Sequence, residues 1–154
     1  MNKLAQILSK ISSSFRINFL NSENETSVLV GNWDAISYTE KLYENGELIN
    51  VDDFSYDINN RFQIRFKKDD TFVQLEKTRG QGRNTFDESK KKGVYHIKEG
   101  ELTLNYGNTF DEESVVKLAF SIEGKHLITI NDYQRTDVGD VYRHLSKRKF
   151  ERKF

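Results

Sequence analysis

Over most of this chain apolar and polar residues alternate with a period of two, and turn signals interrupt the alternation at short intervals. Phe62, Ile64 and Phe66 alternate with Arg61, Gln63, Arg65 and Lys67, so one face of that segment is apolar and the other charged, as in a half-buried strand. Lys68-Asp69-Asp70-Thr71 reverses the chain, and Phe72 to Lys77 returns beside it as an antiparallel partner. Gly93 to Ile97 and Leu102 to Leu104 flank Glu99-Gly100, while Val115 to Ser121 and His126 to Asn131 flank Glu123-Gly124. Both spacings predict hairpins. The series opens with a strand from Gly31 to about Tyr43, turned by Asn45-Gly46, and closes with Val141-Tyr142-Arg143. Glu47 to Asn60 reads as an extension of the first hairpin or as a loop. Thr78 to Lys92 is glycine-rich and aperiodic and reads as a long mobile loop. The count is eight strands with no crossover helix between them, which predicts an antiparallel up-and-down sheet able to close into a barrel.

A different period governs the start. Leu4, Ile7, Leu8, Ile11 and Phe15 recur every three or four residues within 1–20, the stripe of a short amphipathic helix. Residues 21–27 are polar and read as a linker, 28–146 as the barrel, and 147–154 as a basic C-terminal tail.

Composition narrows the functions. Lysine plus arginine balances aspartate plus glutamate at 24 each, so no global field recruits nucleic acid, which is an unlikely partner. The chain has no cysteine, excluding disulfides, thiolate metal sites and a cysteine nucleophile. Gln6, Ser9, Lys10 and Ser12-Ser13-Ser14 break up any apolar stretch of signal-peptide length. A cytoplasmic address is therefore expected, and no run is long enough to span a membrane as a helix.

Four motifs in order, Gly31-Asn32-Trp33, Phe66-Lys67-Lys68-Asp69-Asp70-Thr71-Phe72, Gly93-Val94-Tyr95-His96-Ile97-Lys98-Glu99-Gly100-Glu101-Leu102-Thr103-Leu104 and Tyr142-Arg143, resemble the small bacterial lipocalin-like domains. Those domains read Gly-x-Trp, an Asp-Gly-Thr-type turn, Gly-x-Tyr-x-Ile-x-x-Gly-x-Leu-x-Leu and a closing Tyr-x-Arg or Tyr-Arg. The resemblance covers about residues 28 to 145 and implies a calycin-type β-barrel in which Trp33 stacks with Arg143 across the closing seam. This chain departs from the pattern in carrying Asp69-Asp70 where glycine is usual, and in placing a helix before the barrel.

By analogy with that fold, Trp33, Phe62, Ile64, Phe66, Tyr95, Leu102, Leu104, Leu118 and Phe120 would face inward and line a cavity for a small hydrophobic ligand. Arg79-Gly80-Gln81-Gly82-Arg83 offers backbone amides between two guanidinium groups, where an acidic head group could be met, with Arg79 and Arg83 as the contacts. No cofactor is expected. His96, His126 and His144 have no metal-site spacing, Asp132, Asp137 and Asp140 match no calcium loop, and no nucleophile and base are paired, so an enzyme is not expected. The alternative is an accessory or scaffold subunit. It would engage a protein or an acidic surface through helix 4–15 or through tail 147–154, whose basic and aromatic residues are concentrated.

Overall fold

The computed structural model describes residues 22–107 and 114–154. The expected helix over 1–20, including the stretch 4–15, lies outside them, as does the loop 108–113. The described elements are α1 (Ser22–Leu29) and nine strands: β1 (Gly31–Glu44), β2 (Glu47–Ser55), β3 (Asn60–Phe66), β4 (Thr71–Thr78), β5 (Asp87–Lys98), β6 (Glu101–Asn105), β7 (Val115–Glu123), β8 (His126–Asp137) and β9 (Asp140–Lys153). All neighbours pair antiparallel in the order β2-β1-β3-β4-β5-β6-β7-β8-β9, and β9 returns to β1. Eight strands thus form a closed antiparallel barrel, with β2 outside the ring.

The ninth strand comes from the length of β1. Its first part, Gly31 to Asp34, pairs with β3, whereas Ser37 to Glu44 pairs with β2. Its other edge follows β9 throughout, from Asn32 opposite Lys153 to Glu44 opposite Tyr142, with a bulge between Ala35 and Ser37. Beyond the barrel rim the order β2-β1-β9-β8 therefore continues as a projecting four-stranded sheet. The Asn45-Gly46 and Val138-Gly139 turns at its tip have positive φ at both central residues, the twist that tight antiparallel hairpins favour.

Three segments differ from expectation. Of the segment expected as a linker, the described residues 22–27 are helical within α1. It has no apolar stripe, and what holds it is tertiary: Leu29 is fully buried and the helix closes one barrel end. The 78–92 segment is not wholly a loop, since Asp87 to Lys92 pair with β4. These polar residues extend because a neighbouring strand supplies the ladder, a contribution that overrides weak β-propensity. The segment 147–154 is no tail. Its residues through Lys153 are the half of β9 that closes the barrel, with Phe150 buried inside.

The closing pair is also reassigned. Trp33 lies opposite Arg152, whose guanidinium carbon sits 4.2 Å from the ring centroid. Arg143 is instead opposite Tyr43, 5.4 Å from that ring, at the other end of β1. The physical reason is that β9 runs past Val141-Tyr142-Arg143 to Lys153, so the register brings a later arginine to the tryptophan.

Around Trp33 the floor is tightly built. The indole Nε1 donates to the Leu29 carbonyl at 2.8 Å, and Arg152 donates to the carbonyls of Val30, at 2.9 Å, and Val28. Carbonyls at the end of α1 that the helix cannot satisfy itself thus find partners. Gly31 makes this approach feasible: its φ is +140°, and a Cβ there would lie 2.9 Å from Arg152 Nη1. Phe66, Phe72, Phe120, Leu102 and Leu127 fill the adjoining core.

Candidate functional site

Period-two alternation carries Phe62, Ile64 and Phe66 of β3, Leu102 and Leu104 of β6, and Leu127 of β8 inward. At the α1 end these side chains are packed against Trp33 and Phe72. Toward the opposite end they diverge and leave a cavity of about 250 Å³. Its apolar wall is Phe62, Ile64, Phe66, Leu102, Leu104, Val116, Leu118, Leu127 and Phe150. Toward the mouth the wall turns polar with Tyr38, Gln74, Glu76, Tyr106, Thr129, Asn131, Ser146 and Arg148.

The buried polar members are fixed by one another. Tyr106 Oη donates to Gln74 Oε1 at 2.7 Å, and Gln74 Nε2 donates to Glu76 Oε1 at 3.1 Å. Burial raises the Tyr106 phenol above its ordinary pKa, with Arg148 acting in the opposite direction and Glu76 in the same one. Tyr38 is likewise raised, first by burial and then by its hydrogen bond to Glu40. Both phenols are neutral donors at physiological pH.

Arg148 stands out among these groups. Its guanidinium carbon is 4.2 Å from the centroid of Phe62 and 4.9 Å from that of Tyr38, a cation held between two aromatic faces. Nε donates to Tyr56 Oη at 3.1 Å. The Tyr38 face continues up the projecting sheet as stacked rings, with Tyr133 parallel to His144 at 4.7 Å and Arg135 over Tyr142 at 4.8 Å.

Of the residues expected at a ligand site, Phe62, Ile64, Phe66, Leu102, Leu104 and Leu118 line the cavity. Trp33 and Phe120 lie in the packed core. Tyr95 is near the α1 end, where its Oη donates to the Lys67 carbonyl at 2.8 Å. Burial and the charges of Asp70 and Asp69 push that phenol up to about 12. Arg79 and Arg83 do not line the cavity: Arg79 makes two hydrogen bonds to Asn59 Oδ1 and covers Phe86, and Arg83 lies 3.6 Å from Asp87. Arg143 forms a two-point ion pair with Asp132, with nitrogen–oxygen distances of 2.8 and 2.7 Å. Sequence reasoning missed Gln74, Tyr106 and Arg148. The available signal for Arg148 was its place two residues before Phe150 in an alternating strand, which puts both side chains on one face.

No protein-family model matches the chain, and no curated protein matches it. Among solved structures, a crystal structure of an uncharacterised protein from Bacteroides eggerthii DSM 20697 is similar to it, at 13% identity and a TM-score of 0.39. The match covers 76% of this chain and 98% of that one. The barrel described above rests on this chain's own closed ladder of strand pairs.

Proposed function

We propose that the chain is a non-enzymatic binding module, lipocalin-like in kind, that carries a small hydrophobic ligand inside its barrel in the cytoplasm. The observation that carries this reading is the cavity of about 250 Å³ between aromatic and aliphatic side chains. Native interiors are close-packed with few voids larger than a water molecule, and this one joins an apolar wall to polar groups at its mouth, the two kinds of surface that a ligand pocket combines. The binding role needs no catalytic group. Native mass spectrometry of the purified protein tests the reading together with thermal shift. A co-purifying apolar small molecule, lost in a Leu104→Trp variant that fills the cavity, supports it. A clean apo mass, with no thermal shift from any apolar ligand tried, counts against it.

A second reading, an accessory subunit, draws on the projecting sheet. Strand β2 is exposed along its whole length, pairs on one edge only among the described residues, and carries Leu48, Val51 and Phe54 beside Glu47, Asp52 and Asp53. An exposed edge of this kind is a template for an added strand, and its acidic residues suit a basic partner segment. Protection of β2 amides from hydrogen exchange on adding a partner would favour this reading, and unchanged exchange would oppose it.

A further inference from the structure

We infer that the ligand of the barrel carries an anionic head, a carboxylate, and that Arg148 binds it. This deepens the carrier reading and rests on it. Arg148 is a cation in the wall of the chamber where its apolar floor meets its polar mouth, above Phe62 and beside Tyr38. Its only hydrogen bond among the described residues runs from Nε to Tyr56, which leaves both terminal nitrogens without a protein partner there. Among the described residues no carboxylate oxygen lies within 4.0 Å of it. Other inward arginines differ: Arg152 spends its terminal nitrogens on the carbonyls of Val28 and Val30.

A planar guanidinium with two free donors on one edge matches a carboxylate in two-point geometry. The Tyr56 bond and the two rings hold that edge in place before any ligand arrives, which lowers the ordering cost of binding. Glu76 lines the same chamber, but one of its oxygens is already taken by the Gln74 amide. Its charge opposes an incoming anion and weakens the site without filling it. A volume of about 250 Å³ corresponds to roughly eight water-sized volumes, so the tail is short. A medium-chain monocarboxylate fits, with its chain among Ile64, Leu102, Leu104 and Leu118 and its head toward the mouth.

The test is calorimetric titration of the full chain with octanoate and, separately, with octanol. The proposal expects octanoate to bind at least about tenfold more tightly, the range of a charge-assisted hydrogen bond. Arg148→Gln should remove that preference while octanol binding is kept. Arg148→Lys should retain part of it, and Glu76→Gln should increase it. Equal affinity for the two probes in the unaltered protein, or a preference that survives Arg148→Gln, overturns the role of Arg148 and leaves the carrier reading standing. Failure of both probes to bind overturns the carrier reading, and this inference with it.

Discussion

Replacing Arg152 with methionine removes the cation that joins the first and last strands to the helix. The arginine stacks on Trp33 at 4.2 Å and donates to the Val30 and Val28 carbonyls. A cation over an indole contributes ~0.5–2 kcal/mol, and a hydrogen bond from a charged group ~1.5–3 kcal/mol. Burial already lowers the arginine's pKa, a sign that desolvation opposes these gains. The three contacts share one partly exposed group and do not add, so the expected loss is about 3 kcal/mol, or roughly 6–12 °C in Tm for a chain of this length. Trp33 is the only tryptophan, which gives a local readout: its fluorescence and near-ultraviolet circular dichroism should change in Arg152→Met and stay constant in Arg143→Met. The reverse pattern, or an Arg152→Met protein with unchanged Tm, would refute the assigned seam.

Other perturbations probe separate parts of the same geometry. Val138 holds a φ of +48° in a two-residue turn while its side chain is fully exposed; β-branched residues resist that conformation, so Val138→Asn should stabilise the protein by about 1 kcal/mol in urea unfolding. A Cβ at Gly93 would lie 2.0 Å from the Asn105 carbonyl oxygen and 2.8 Å from Phe72, and Gly93→Ala should lose more than about 2 kcal/mol by the same measurement. The Tyr95 phenol keeps its proton in the folded protein up to about 12 against an ordinary 10.0. The unfolded chain loses that proton first, so Tyr95 contributes stability that is complete below pH 10 and disappears as pH rises toward 12; Tyr95→Phe should flatten this alkaline decline in a stability–pH profile.

How much was legible depended on whether inward positions were apolar. Phe62, Ile64 and Phe66 alternate with polar and charged residues, and the structure buries all three. Leu102 and Leu104 behave the same way. In β9 the alternation is equally regular, but arginines occupy inward positions beside Phe150, so Arg148 and Arg152 looked like members of a charged tail. Charge density concealed a period of two. The motif Tyr142-Arg143 then drew the seam to the wrong end of the strand, because a motif match does not count how far pairing continues. Gln74 was hidden by the same rule: a polar residue in a strand reads as outward, and only its bonds to Tyr106 and Glu76 make the inward position stable. In α1 no apolar stripe exists to be read, and the carbonyls at its end are held by Trp33, four residues on, and by Arg152, more than a hundred residues away.

The claim on which function depends is that the barrel interior admits a small apolar molecule. Methyl resonances of Ile64, Leu102, Leu104, Leu118 and Leu127, recorded during titration with octanoate, measure this directly. All five residues line the cavity, and the account predicts that their methyls shift together and saturably, while those of the exposed Ile49, Val51 and Val138 stay in place. Lining methyls that do not move, or shifts confined to the exposed residues, would contradict it.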